Sequence, residues 1–424
     1  MNAVAQVARA HVMPGLLRDN RPFGAFWLGQ SVSLFGDQVT MIALPLVAVL
    51  VLHAGAAQMG YLTAAGLIPN LLFALHAGAW VDRHGRRRRV MIAADLERAA
   101  LLASIPLAYV LGLLSLPQLF VVAFGVGTLS VLFSVSYSTL FVSLVPKARY
   151  VEATSLLNGS RAFSFVAGPS VGGLLVQALA APFALAVDAV SFLVSALFLS
   201  RISPQEPAKA DEGRGLVTSG ARYIRRSPII RAALAATATI NFFSFIFMAL
   251  FMLFATQTLG VRPGTLGLVL GAGAVGGLVG AALTGRIGGR FGIGRAFLIG
   301  CIVFPAPLIL VPLATGSRAL VLLMLFAAEF GSGFGVMLLD ISIGAIFAAV
   351  IPDALRARVS GAYLLVNFGV RPLGALAGGA LGTWIGLRPS LLIAAVGGVF
   401  GFLWLLPSPL PRMRELPEGP DPGS

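Results

Sequence analysis

Charge is scarce in this chain. Only 11% of its 424 residues are Asp, Glu, Lys or Arg, where a soluble domain carries about 25%. So few charges exclude a water-clothed globule of this length. Cysteine is nearly absent: the single Cys301 rules out a disulfide framework and a cysteine metal site. Lysine is reduced to Lys147 and Lys209. Neither sits in G-x-x-x-x-G-K-[ST], so the chain has no phosphate-binding loop of that type for driving a pump with ATP. The four histidines, His11, His53, His76 and His84, are scattered without H-x-x-x-H spacing, and no metal, cofactor or catalytic residue is expected. His76 reads as a buried polar contact near a helix end. Strand alternation of the barrel type is also missing. What the chain has is apolar length and glycine: 58% hydrophobic residues and 50 glycines, as in packed membrane helices.

Apolar spans fall at 24–52, 58–81, 89–112, 117–144, 150–178 and 183–200, then at 229–258, 264–287, 295–314, 319–349, 355–386 and 389–406. Each is close to or beyond the ~20 residues that cross a bilayer. The expected fold class is therefore an all-α membrane protein with twelve transmembrane helices. The first apolar run is too long for a cleavable signal. The net charge of +14 sits between spans and reads as topology, not as nucleic-acid binding. Of 30 Lys and Arg residues, 24 fall on the side of the N-terminus, three (Arg262, Arg318, Arg388) on the other, and three (Arg98, Arg161, Arg371) inside spans. The positive-inside rule then places both termini in the cytoplasm and the protein in the cell (inner) membrane.

The halves repeat. Gly60, Gly66, Gly78, Arg83 and Gly85 recur 207 residues later as Gly267, Gly273, Gly285, Arg290 and Gly292. At an offset of 206, Pro146 recurs as Pro352 and Gly172-Gly173 as Gly378-Gly379. Parallel repeats imply two six-helix bundles, 1–200 and 228–406, about an axis along the membrane normal, with a central cavity between them. Residues 201–227 join the bundles. Their end, with Arg222, Arg225 and Arg226 beside Val217, Ala221 and Ile224, reads either as an amphipathic surface helix or as a basic linker. The Pro-rich tail 407–424 reads as disordered and cytoplasmic.

Ionisable groups within spans cost roughly 2.5–3.5 kcal/mol at the bilayer centre on insertion scales, so they face a cavity or a partner. They are Asp37, Arg161, Asp188, Glu329, Asp340 and Arg371, with Asn158 and Asn367 as further polar groups. Asp37 and Arg161 are expected to line the cavity of the first half, with Asp37 as the proton site. Asp188, Glu329 and Asp340 read equally as structural contacts. The run NFFSFIFMALFMLF at 241–254 suits an amphipathic substrate or, for most of its residues, a lipid-facing stripe.

The strongest local motif is GAWVDRHGRRRRV, Gly78 to Val90. Gly78 permits close packing, Asp82 suits another helix's amide terminus, and the arginines suit acids and lipid phosphates. Gly285-Arg286-Ile287-Gly288-Gly289-Arg290-Phe291-Gly292 is its copy, with Gly289 at the acid's position. A second motif, Gly168-Pro169-Ser170-Val171-Gly172-Gly173, combines a bend with tight packing.

These features resemble the major facilitator superfamily, whose loop between helices two and three reads G-x-x-x-D-R-x-G-R-[RK]. The resemblance implies that Gly78, Asp82, Arg83, Gly85, Arg86 and Arg87 latch the halves on the cytoplasmic side, Asp82 facing the start of helix eleven near Arg356 and Arg358. It implies that Arg86 or Arg87 reaches Asp95; the residues themselves equally allow Asp95 to pair with Arg98. Gly168, Pro169, Gly172 and Gly173 resemble the end of the exporters' antiporter motif, although Ser164 and Ser155 replace its upstream glycines; plain packing explains them as well. Gly36-Asp37, Asn158-Gly159-x-Arg161 and Asp188-Ala189-Val190-Ser191-Phe192 resemble the branch of enterobactin exporters and macrolide efflux proteins. Ile346, Phe347, Ala348 and Ala349 ahead of Pro352-Asp353 depart from that branch. The expected function is secondary, proton-coupled efflux of an amphipathic antibiotic, drug or siderophore by a monomer. Its alternatives are uptake or lipid flipping on the same fold, and a membrane-embedded enzyme.

Overall fold

Without water partners, a long apolar run satisfies its amides only within itself, and each such run here becomes a helix. The computed structural model describes residues 15–202 and 216–416, and for residues 74, 75, 79, 82–84, 139 and 216–219 the backbone alone. Among them, twelve helical segments follow the expected spans within a few residues. The first half holds α1 (Arg21–Val51), α2 (Ala56–His84), α3 (Arg87–Val110), α4 (Leu116–Leu144), α5 (Tyr150–Leu179) and α6 (Ala181–Ser200). The second holds α7 (Pro228–Thr258), α8 (Pro263–Phe291), α9 (Ile293–Leu313), α10 (Arg318–Val350), α11 (Asp353–Trp384) and α12 (Leu387–Leu405). Ten of these are long and apolar enough to cross a membrane, and α2 and α3 pack among them. Helix α3 carries Asp95, Glu97 and Arg98 within its apolar stretch.

The repeat extends to the backbone. Helix α1 ends in a π-turn at Val47–Val51 and α7 in one at Phe254–Thr258, 207 residues on. The next residues with left-handed backbone, His53 and Gly260, keep the offset. So do the closing hydrogen bonds, Leu52 N to Val47 O (3.2 Å) and Leu259 N to Phe254 O (3.1 Å). Ahead of α6 and α12, Ala180 and Gly386 share a positive φ at an offset of 206. Packing repeats too: α1 lies on α5 and α6 as α7 lies on α11 and α12, and α2 lies on α4 as α8 lies on α10. Helix α9 is broken at Pro305 and Pro307 into two α-helical parts joined by a 3-10 turn, and α12 ends in a 3-10 segment at Phe400–Leu405.

Residues 216–226, read either as an amphipathic surface helix or as a basic linker, form a helix, and its described apolar residues dock on the second half. Ile224 is buried beside Ile351 and Val359, and the Tyr223 hydroxyl donates to the Val350 carbonyl at 2.9 Å. The first part of the tail is ordered, not disordered as expected: Leu410 is buried, and Ile293 N and Gly294 N donate to the carbonyls of Arg414 and Met413 at 3.2 and 3.1 Å. Gly294, lacking a side chain, admits that strand of tail against α9. Residues 203–215 and 417–424 lie outside the described residues.

Candidate functional site between the halves

The halves meet through α2 with α11 and α5 with α8. Glycine makes the approach possible. A methyl on Gly60 would stand 2.8 Å from the Gly379 Cα, and one on Gly173 would stand 2.8 Å from the Gly267 Cα. These four residues form the repeat pairs Gly60/Gly267 and Gly173/Gly379, so the repeat places one clamp twice. Both clamps lie on the side away from the linker. Gly264 N adds a bond to Gln177 Oε1 at 3.0 Å there. Toward the linker the same helices carry Gly78, Gly159, Gly285 and Gly361, and nothing lies within 4 Å of a methyl on any of them. The halves therefore touch on the far side and part toward the linker side.

The helix-five motif builds this contact. Gly168 lies against Gln38 and Gly172 against Val39, both of α1; Gly173 and the Pro169 carbonyl lie against Gly267 of α8. Helix α5 thus binds its own half on one face and the other half on the next.

Two cavities follow the interface, and a third lies within the first half beside them. One of about 330 Å³ is walled by α1, α2, α3 and α4 with Phe245 and Met248 of α7, and includes Asp37. One of about 380 Å³ spans both halves and includes Glu329. A third, about 190 Å³ and more polar, holds Asp37, Arg98, Tyr137 and Arg161. Asp37, near the middle of α1, is exposed only in the sense that it faces these cavities.

Behind Asp37 lies a buried cluster. Arg98 is 3% exposed and pairs with Asp95, which is fully buried. Its guanidinium lies 4.1 Å from the Phe192 ring centre and 4.6 Å from that of Phe133. Asp188, also fully buried, accepts from Thr40 and from Ser191 (2.8 Å), with Gly36 against it. Asp37, Asp95 and Asp188 all lie within electrostatic reach of Arg98. Of the two readings for Asp95, the local pair with Arg98 is the one observed. Arg98 itself was visible in the sequence only as a charge within a span; Asp95-x-x-Arg98, one helical turn apart, was the available signal.

Arg161 and Asn158 are exposed on α5, Arg161 sharing the polar cavity with Asp37. In the second half Arg371 Nε donates to Asn241 Oδ1 at 3.0 Å, and Asn241 Nδ2 donates to Asn367 Oδ1 at 2.9 Å. Asn367 continues to the Tyr363 carbonyl, and the Tyr363 hydroxyl meets Thr237 Oγ1 at 2.6 Å. Asp340 is exposed and within electrostatic reach of Arg371. Glu329 stands apart from both groups.

In the Gly78–Val90 motif, Gly85 ends α2 in the left-handed conformation, φ 62°, the conformation that glycine adopts without strain. Arg87 is buried at the start of α3 and Arg86 is exposed. Arg88 donates to the carbonyls of Leu199 (2.9 Å) and Ser200 (2.6 Å), closing the end of α6. Arg356 pairs with Asp353 at 2.6 Å. The side chains of Asp82 and Arg83 lie outside the described residues. His76 is exposed, not buried, with Nδ1 3.3 Å from the Leu72 carbonyl; it lies on an open face of this end of α2, whose other face buries Ala77 and Val81. The 241–254 run also departs from expectation. Phe245, Phe247, Met248, Phe251 and Met252 line the inter-half cavity rather than lipid, because α7 is enclosed by α2, α11 and α12.

The sequence pattern of the Major Facilitator Superfamily matches residues 26–368 and, overlapping, 234–423. The chain belongs to that superfamily. The second match, confined to the second half, agrees with the internal repeat. Among relatives, the multidrug efflux pump Tap of Mycolicibacterium fortuitum is 27% identical over 408 residues, 90% of this chain and 93% of Tap. The MFS-type transporter YfiS of Bacillus subtilis (strain 168) is 25% identical over 397 residues, 89% of this chain and 91% of YfiS. A bacterial homologue of the iron transporter ferroportin, solved in an inward-facing state, superposes with a TM-score of 0.70 at 19% identity, covering 91% and 99% of the two chains; this likeness concerns the fold alone. The chain is thus a multi-pass membrane protein of a transporter superfamily, which removes the membrane-enzyme reading.

Proposed function

We propose that this protein exports an amphipathic small molecule, an antibiotic or other drug, in exchange for protons. The linker side faces the cytoplasm in this reading, as the 24-to-3 distribution of Lys and Arg requires. The observation that carries it is the interface itself: four glycines close it on the far side, it is open toward the linker, and an acid stands on its wall. Cargo enters from the linker side and leaves when the halves rock about the gap. Three carboxyls, Asp37, Asp95 and Asp188, lie near Arg98, and Arg161 shares the polar cavity with Asp37; the acids outnumber the cations by one, which leaves room for a proton to complete the charge balance. Asp37 is the member that meets the cavities and is assigned the exchange. Each inward proton supplies roughly 2.3 kcal/mol per 100 mV. The Gly78–Arg87 segment latches the linker side when the gap closes there. The relatives' names favour drug-like cargo over a siderophore.

The test is drug-dependent proton movement in proteoliposomes with an imposed pH gradient, using a panel of neutral and cationic fluorescent drugs. Asp37→Asn should insert normally and lose proton-coupled transport. Undiminished coupling in that variant would remove Asp37 from the mechanism.

A lipid cargo is the second reading. An apolar groove of about 540 Å³ between α1, α5 and α6, including Trp27, Phe35 and Phe163, favours it. Transfer of a fluorescent lysolipid between leaflets, unaffected by Asp37→Asn, would decide for it.

A further inference from the structure

Glu329 differs from the other acids that line the cavities or join the buried clusters, Asp37, Asp95, Asp188 and Asp340. Asp95 and Asp188 are hydrogen-bonded, and Asp37 faces Arg98. Asp340 faces Arg371. Among the described residues no hydrogen bond and no cation reaches the Glu329 carboxyl. It lies against Gly273 of α8, where a methyl would stand 3.3 Å from Oε2.

The space before it is not lipid. Glu329 lines the cavity of about 380 Å³ that both halves build, with Phe165, Phe245, Phe247, Phe251 and Phe304 around it. Met41 and Met248 add polarisable surface. Ser244, on the same wall, has a buried hydroxyl without a hydrogen-bond partner. Among the described residues, no other titratable side chain lines this cavity. Its one amide, Asn241, is already committed to Arg371 and Asn367. Arg371 in turn lies 5.4 Å from the Phe245 ring centre and 4.8 Å from that of Phe368, and Asp37 lies in the adjoining cavity.

A lone carboxyl in a low-dielectric cavity is completed in one of two ways: by a proton, or by a positive ligand. A lining of phenylalanines suits a cation whose charge is spread over apolar groups. We propose that this cavity binds an organic monocation, its charge against Glu329 and its apolar groups among the phenylalanines, and that the cation and a proton compete for that carboxyl. This deepens the export reading and rests on it for the meaning of the site: Asp37 carries the exchanged proton, and competition at Glu329 makes cargo affinity depend on pH.

The experiment is equilibrium binding to the purified protein in nanodiscs, with tetraphenylphosphonium as the cation and triphenylphosphine oxide as a neutral probe of related shape. The wild type should bind the cation at least about tenfold more tightly at pH 8 than at pH 5.5. In Glu329→Gln that pH dependence should vanish and affinity at pH 8 should fall by about tenfold or more, while the neutral probe binds as before. Glu329→Asp should keep a pH-dependent preference for the cation, which covers failure of the Gln variant to assemble. Unchanged cation binding in Glu329→Gln overturns the assignment. Equal weakening of both probes also overturns it, because that marks a packing role. No cation binding by the wild type at either pH overturns the ligand class while leaving proton-coupled export of neutral cargo standing, since the transport panel tests that separately.

Discussion

The two halves share a backbone and differ in where they keep charge. The π-turns at Val47–Val51 and Phe254–Thr258, the left-handed His53 and Gly260, and the clamps Gly60–Gly379 and Gly267–Gly173 all obey one repeat. The polar content does not. The first half gathers Asp37, Asp95 and Asp188 around Arg98; the second strings Arg371 through Asn241 and Asn367 and leaves Glu329 alone. Backbone geometry is set by packing that both halves need, so it survives duplication. Buried charge costs stability at every site, so it persists where a half has a use for it. The difference points to a division of labour: proton chemistry in the first half, cargo recognition across the cavity toward the second.

The largest effect should come from removing a cation. Arg98→Ala leaves buried Asp95 and Asp188 without their counter-charge and should cost about 3–5 kcal/mol, read as a fall in melting temperature in detergent; acidification should restore part of it by neutralising the acids. Gly173→Val forces a branched side chain into the Gly267 backbone and should cost about 2 kcal/mol, with the far-side contact of α5 and α8 opened. Arg371→Ala breaks a bond to an amide, with no acid paired to it in a salt bridge, and should cost about 1.5 kcal/mol; a loss as large as that of Arg98→Ala would erase the contrast between the halves. The smallest concerns Ala180, φ 69°, where the second half has Gly386. Ala180→Gly should stabilise by about 1 kcal/mol and Gly386→Ala should destabilise comparably, both read as shifts in melting temperature.

The spans and their repeat were legible in the sequence because bilayer crossing demands apolar length, and length survives without tertiary knowledge. The glycines Gly60, Gly173, Gly267 and Gly379 were visible as repeat partners, but not as partners of one another; that contact crosses between halves, and no local pattern encodes it. The pair Asp95–Arg98 was legible one helical turn apart, but its gathering of Asp37 and Asp188 was not, because that cluster draws on α1, α3 and α6. Asp37 and Arg161 were recognisable as charges within spans. The inward aim of Phe247 and Phe251 was not, because α7 is apolar on every face and only its neighbours decide which face meets the cavity. The tail read as disordered from its prolines, whereas Leu410 finds a seat on α9 made by Gly294.

The measurement that bears most directly on the alternating gap is a pair of distances by electron spin resonance. Labels at Gly159 and Gly285 report the linker side of α5 and α8, where nothing lies within 4 Å of an added methyl; labels at Gly55 and Thr383 report the far side of α2 and α11. Buried Cys301 leaves the labelling specific. Changing pH, or adding a cargo found in the transport panel, should shorten the first distance while lengthening the second. Two distances that stay fixed under every condition, or that move in the same direction, would contradict a gap that opens to each side in turn.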